Sequence, residues 1–309
     1  MNNNKTSPLN SWWQSIKYRA KRDRMAYFLS APFFILFFIF TVLPVIISFY
    51  YSFTYYNMLQ KPVFMGIDNY VKLLFYDDIF KTSLKNTMVF AIITAPIGYL
   101  LSLMVAWFIN ELSGKVRSIF VLLFYAPSIS GNVYLVWKLL FSSDSYGYVN
   151  ALLLDFGIIS TPIQWFADVQ YILPLLIIVQ IWMSLGTGFL SFVAGLKGVD
   201  HALMEAGAID GIRNRWQELW YITLPSIKPQ MIFGAVLSIT GAFAVSEISV
   251  NLAGNPSVQY AGHFIANHMS DYGNVRYEMG YASAIATVLF IITISCNKLI
   301  NIVLKKVLK

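Results

Sequence analysis

Charge is what this chain has least of: Asp, Glu, Lys and Arg make up 12% of its 309 residues, against 57% hydrophobic and 17% aromatic. Soluble domains run near a quarter charged, so the composition excludes an ordinary water-soluble globule and implies a membrane protein. Cysteine is almost missing. Cys296 stands alone in an apolar run, which excludes an internal disulfide or a cysteine-built metal cluster. It reads as small apolar filler against lipid or a neighbouring helix. Histidine is limited to His201, His263 and His268, dispersed and without an H-E-x-x-H pairing, so neither a metal site nor a catalytic site is expected. A phosphate-binding loop is lacking too: Gly114-Lys115-Val116 does not complete G-x-x-x-x-G-K-[ST], and the chain is not expected to hydrolyse ATP or carry a cofactor. The net charge of +7 would suit nucleic acid, but the bases form no single stripe. They gather at the ends of apolar segments, the pattern that orients a protein in a bilayer.

Those apolar segments are what the chain has in abundance. Crossing about 30 Å of hydrocarbon takes about 20 apolar residues in helix. Six segments qualify: 26–53, 87–109, 118–141, 171–193, 230–252 and 279–303. Lys17, Arg19, Lys21, Arg22 and Arg24 precede the first as they would in a secretory signal, but no charge follows from Met25 to Gln60. That is far longer than a signal core of about 7–15 residues, so the segment is expected to remain as a span. The expectation is an all-α membrane protein of one domain: a tail over 1–25, then six spans over 26–309.

Six spans leave both termini on one side. Bases expected on that side are Lys5, Lys17, Arg19, Lys21, Arg22 and Arg24 in the tail, Lys115 and Arg117, then Lys197, Arg213, Arg215 and Lys228, and finally Lys298, Lys305, Lys306 and Lys309. The other side keeps Lys61, Lys72, Lys81, Lys85, Lys138 and Arg276. This excess places both termini in the cytoplasm. The loop Ser142–Val169, with Asp144, Asp155 and Asp168 and no base, is then external, and its "NALLLDFGII" predicts a short surface helix. Trp107, Trp137 and Tyr171, near span ends, read as interfacial anchors.

One cytoplasmic stretch is polar and Gly-punctuated: "LMEAGAIDGIRNRWQELWYITLPSIKP", Leu203–Pro229, within a loop over 194–229. Val199, Ala202, Ala206 and Ile209 fall on one helical face. Asp200 caps the start, and Gly211 supplies a left-handed stop. A second helix places Ile212, Trp216, Leu219 and Thr223 together and is expected to end at Pro225. A face of alanine-sized residues beside Glu205 and Asp210 suits a close-fitting protein groove. Lipid-binding faces instead favour Trp, Phe and Leu flanked by Lys.

"EAGAIDG" followed by "ITLPSIKP" resembles the cytoplasmic "EAA" loop of permease subunits from bacterial ABC importers. "YFLSAPFFILFFIFTVLPVIISFYYSFT", "GIDNYVKLL", "KNTMVFAIITAPIGYLLSLMVAWFIN", "FYAPSISGNVYLVWKLLF" and "YGYVNALL" follow the order of the maltose- and glycerol-phosphate-type carbohydrate permeases, in the subunit that usually comes first of the pair. The chain departs from that pattern in places. Gly207 stands where a second alanine is usual, which loosens the helix by up to ~1 kcal/mol. Asp200 stands where proline is common, "AGNP" only partly matches the family's glycine run at Gly254–Pro256, and the large external domain of the maltose-type first subunit is missing.

The resemblance implies a type I importer fold in a bacterial cytoplasmic membrane. It implies that Leu203, Glu205, Ala206, Gly207, Asp210, Gly211, Leu224 and Pro225 form the coupling element that fits an ATPase cleft. It implies four kinds of partner besides lipid: a second permease, two ATP-binding subunits, an extracellular substrate-binding lipoprotein and a sugar. Cargo contacts are sought among polar residues within spans, since lipid penalises them unless they face a cavity or a partner. Gln180, Ser184 and Thr187 share one face of the fourth span, the region that contributes sugar contacts in the resembled family; helix–helix hydrogen bonding is the alternative for them. Glu247 and Thr240 are candidates in the fifth span, Glu247 because a carboxylate near a bilayer centre costs ~2.5–3.5 kcal/mol unless paired or wetted. Asn132 either loosens the third span or faces the cavity. No base lies deep in a span, which favours a sugar over glycerol phosphate. An ion-coupled carrier would want more charged relays than Glu247, and a membrane enzyme would want clustered acids or histidines.

Overall fold

The structure, a computed structural model, describes residues 22–131 and 133–307; Asn132, Lys5, Lys17, Arg19, Lys21 and Lys309 lie outside them. Among the described residues, four helical segments are long and apolar enough to cross a membrane. They are α1 (Arg24–Tyr51), α2 (Asp78–Asn110), the Val169–Lys197 span, and α13 (Met279–Val307). Two more spans are bent pairs: α3 (Gly114–Ile129) with α4 (Val133–Leu140) at 84°, and α9 (Arg215–Ser226) with α10 (Lys228–Phe243) at 81°. Counting each pair once gives six. A two-residue antiparallel ladder, β1 (Thr54–Tyr55) on β2 (Val63–Phe64), and α5 (Tyr148–Asp155) lie at the end of the bundle where α2 begins. The short helix read from "NALLLDFGII" is α5.

Span boundaries differ from those read in the sequence, for local reasons. α2 starts at Asp78 and not near 87, because the Asp77 carboxylate accepts the Phe80 N–H at 2.8 Å and caps a helix that runs on through Pro96. The fourth span is two helices, α6 (Val169–Met183) and α7 (Thr187–Lys197), parted at 184–186. The fifth ends at Phe243 and does not reach 252: after 244–246 a separate helix, α11 (Glu247–Ala253), begins. Glu247 opens that helix, where an acid is favoured by the helix dipole, and the Ser246 carbonyl accepts both the Val250 N–H at 3.1 Å and Asn267 Nδ2 at 3.4 Å. Thr240 and Glu247 therefore do not share one helical face.

Packing is tightest where small residues let backbones approach. A Cβ on Gly234 of α10 would meet Phe192 Cζ at 2.7 Å, and one on Gly195 of α7 would meet Gln230 Cγ at 2.8 Å. At the Asn110 end of the bundle one apolar cluster unites Leu103, Ala106 and Trp107 of α2 with Phe189, Phe192 and Leu196 of α7, Leu219 and Leu224 of α9, and Ile227. Trp107 is 7% exposed and its ring lies 5.0 Å from that of Trp216, so it is a core residue and not the interfacial anchor expected. Trp137 and Tyr171 are half-buried, Trp137 packing on Phe141 and Trp182 and Tyr171 on Trp165. Cys296 packs half-buried beside Ile239 and Phe243.

Candidate functional site

Two features stand at different depths of the bundle. The first is α8 (His201–Ile209). Asp200 begins it, its side chain accepting from Ala202 N–H at 3.0 Å. Gly211, at φ +96°, ends it. The Ile212 N–H returns to the Gly207 carbonyl at 2.9 Å and the Gly211 N–H to Ala208 at 3.4 Å, a paired closure that needs a residue in the left-handed region. Val199 is buried just before the helix, while Leu203, Glu205, Ala206, Asp210 and Ile209 face outward, Ile209 at 88% exposure. The apolar face read from the sequence is thus divided. Gly207 points inward: a Cβ there would collide with Ile222 Cδ1. It lets α8 rest on α9, with Ala206 and Glu205 presented outward.

α9 does not stop at Pro225. A wide turn over Leu219–Thr223 continues through Leu224–Ser226, and the chain bends at Ile227 into α10. Proline is tolerated there because it occupies the first turn of the closing helical piece, where its missing N–H is not needed. Leu224 is buried in the cluster beneath, and Pro225 is exposed. Arg215 bridges outward from this segment: Nη2 to Glu111 Oε2 at 2.8 Å and Nη1 to Glu218 Oε2 at 2.8 Å.

The second feature is a cavity of about 230 Å³ among α2, α6, α7 and α10, lined by Thr94, Gly98, Gln180, Ser184, Thr187 and Ser238 with apolar neighbours. No Asp, Glu, Lys or Arg lines it among the described residues. The three polar residues read from the fourth span come together here although a helix break separates Ser184 from Thr187. Ser184 Oγ bonds back to Ile181 O at 2.7 Å, and Ser102 Oγ donates to Ser184 O at 3.1 Å. Thr240 and Glu247 are not brought to this cavity. Thr240 Oγ1 accepts from Asn297 Nδ2 at 3.3 Å on the last span, and Glu247 is exposed at the start of α11. Thr94, Gly98 and Ser238 are not singled out by the sequence; Thr94 and Gly98 sit one helical turn apart, a spacing that could have paired them.

At the opposite end of the bundle, Asp77 Oδ2 meets His268 Nε2 at 2.9 Å and Tyr281 Oη at 2.7 Å, all buried. Burial pushes the Asp77 carboxyl up, but hydrogen bonds from His268, the Phe80 N–H and Tyr281 outweigh it and hold the group well below the usual carboxylate range. His263 has its ring 5.7 Å from that of His268, so two of the three dispersed histidines meet; burial, with His268 beside it, pushes its imidazole down to about 4. This knot ties the start of α2 to α12 (Ile265–Ser270) and to α13.

A bundle with broken spans, a polar cavity between them and a capped helix held out at one end is the architecture of a membrane permease. The chain belongs to the binding-protein-dependent transport system inner membrane component family, whose match runs over residues 86–309. It is similar to the probable ABC transporter permease protein YesP of Bacillus subtilis (strain 168), 32% identical over 277 residues and 88% of each chain. It is also similar to the arabinooligosaccharides transport system permease protein AraP of that organism, 30% identical over 285 residues, 91% of this chain and 88% of that one. The lactose transport system permease protein LacF of Rhizobium radiobacter is 31% identical over 220 residues, 70% of this chain and 72% of its own. Among solved structures, a bacterial ABC transporter that imports the acidic polysaccharide alginate superposes with a TM-score of 0.73 at 24% identity, over 96% of this chain and 100% of that one, and so shares the fold. The chain is accordingly an ABC importer permease, an inner-membrane transport component and not an enzyme.

Proposed function

We propose that this chain forms one half of the pathway of a carbohydrate importer and passes a di- or oligosaccharide across the bacterial cytoplasmic membrane by alternating access. The observation that carries the cargo reading is the cavity of Gln180, Ser184 and Thr187, joined by Thr94 and Ser238. Amides and hydroxyls both donate and accept, as sugar hydroxyls do, and an uncharged lining suits a neutral cargo better than a phosphate, which would want Arg or Lys. Relatives named for arabinooligosaccharides and lactose support the same class.

In this reading the termini and loop 194–229 are cytoplasmic, the tail covers 1–25 and the six-span domain 26–309. α8, with Glu205 and Ala206 outward, seats in a cleft of an ATP-binding subunit, and two such subunits serve this chain and a second permease. An extracellular lipoprotein delivers the sugar. ATP binding moves the coupling helices and biases the inward and outward shapes of the spans; its effect equals its differential affinity for the two.

The test is ATP-driven uptake by the assembled complex in vesicles, with arabinooligosaccharides, lactose and glycerol 3-phosphate as probes. Gln180→Leu is expected to cut uptake of whichever neutral sugar is carried by about fivefold, the effect of one or two lost hydrogen bonds. Uptake of glycerol 3-phosphate alone, or uptake driven by an ion gradient after ATP is depleted, would overturn the reading.

A further inference from the structure

If α8 takes the push of an ATPase, something must carry that push to the cavity, and the contacts of α9 single out one route. Arg215 joins Glu111, the residue that follows α2, at 2.8 Å, and Trp216 lies 5.0 Å from Trp107 of α2 between ring centres. Beneath them Leu219 and Leu224 bury in the same apolar cluster as Leu103 and Ala106. The end of α2 is itself tied off: Arg117 Nη2 donates to the Asn110 carbonyl at 2.7 Å and to that of Leu112 at 3.0 Å. From there α2 runs without a break or a proline to Gly98 in the cavity wall, about 18 Å from Asn110 at 1.5 Å per residue, and Pro96 falls only beyond that point. Span four is interrupted at the cavity itself, at 184–186, and span five begins only after a sharp bend. A helix transmits displacement along its axis as a rod, whereas a break or bend absorbs it.

We infer that the second span is the transmission rod of this permease, gripped by the coupling segment through Arg215–Glu111 and Trp216–Trp107 and delivering its movement to the cavity at Gly98 and Ser184. The inference rests on the reading of α8 as the ATPase-docking element. Arg215 and Glu111 are positioning residues: they touch neither cargo nor nucleotide. Both side chains are well exposed, so their bridge adds little to stability and can be altered without unfolding the chain.

The experiment uses the assembled complex with Cys296→Ser and a reporter, Ala95→Cys, on the cavity face of α2. The rate of maleimide labelling is read with and without ATP hydrolysed and trapped as ADP and vanadate, so no cargo need be known. Trapping should change the parent rate about tenfold, within the usual span of allosteric coupling. Glu111→Gln and Arg215→Gln should each abolish most of that response while the ATP-binding subunits co-purify as before. Reversing the pair, Glu111→Arg with Arg215→Glu, should recover it, since the relocated guanidinium would then face both the relocated carboxylate and Glu218. Single variants that keep the full response, or a reversed pair that stays unresponsive, overturn the rod. Single variants that shed the ATP-binding subunits also overturn it, because Arg215 would then belong to the docking surface. A parent complex that never retains those subunits overturns the docking reading, and this inference with it.

Discussion

Gly98→Ala is the most informative single change available in the bundle. A methyl on Gly98 would lie 2.7 Å from Ser184 Cβ and 3.1 Å from its Oγ. Carbon atoms rest at about 3.5–4.0 Å, so the contact is too close by roughly 1 Å. A rotamer change moves Oγ but not Cβ, which is fixed to the backbone, so α2 and the fourth span must part. Overpacking of this kind costs about 1–3 kcal/mol, while replacing a helix-interior glycine by alanine returns ~1 kcal/mol. The clash is expected to win by about 1 kcal/mol, because separation also stretches the Ser102–Ser184 hydrogen bond. Thermal unfolding of the purified complex reads the stability, and ATP-driven uptake reads the cavity, whose wall this contact forms. Adding Ser184→Gly removes the opposing Cβ and should restore the melting temperature. Wild-type melting and uptake for Gly98→Ala would refute the close approach, and a double variant less stable than the single would refute the stated cause.

Glu205→Ala and Gly211→Pro should both leave the chain in the membrane but weaken co-purification with the ATP-binding subunits and uncouple uptake. Proline fixes φ near −65° where Gly211 stands at +96°, so the second change should be the more severe; normal uptake in both would count against docking by α8. Asp77→Ala removes the carboxylate that His268, Tyr281 and the Phe80 N–H all address and should destabilise the protein by about 3–5 kcal/mol, measured by thermal unfolding. The depressed Asp77 carboxyl also sets a pH dependence. Its contribution is complete above the unfolded value of about 3.9 and disappears as pH falls through the lower folded value. Stability owed to this group should therefore hold across neutral pH and decline only in strong acid. A decline specific to Asp77, already present at about pH 6, would contradict the geometry.

What can be read in advance follows the range of the forces involved. The six apolar segments, the Asp200 cap and the Gly211 stop depend on residues close in the chain, and composition and local chemistry expose them. Gln180, Ser184 and Thr187 are legible as a polar face because lipid makes polar residues conspicuous. The helix break between them is not, and neither is the approach of Gly98 and Ser102, from a distant span, to Ser184 beside it. Gly207 reads in the sequence as a residue shaped for an outside partner. Its inward turn depends on Ile222, which one-dimensional spacing does not place. Trp107 reads as an anchor because span-end tryptophans usually face headgroups, and only the fold of loop 194–229 brings Trp216 over it. Asp77, His268 and Tyr281 are spread across about two hundred residues, and nothing local marks their meeting.

The interruption between Met183 and Thr187 opens the helical ladder, and the Ser184 carbonyl freed from it is met by the Gly186 N–H at 2.8 Å and the Ser102 hydroxyl at 3.1 Å. That stretch borders the cavity, where Gln180, Thr187 and Ser238 add amide and hydroxyl groups. In the proposed reading, a sugar entering the cavity exchanges hydroxyl partners in water for those of the wall, at little net gain per bond. The resting place is then shallow, and a cargo that arrives there leaves as soon as a way out opens.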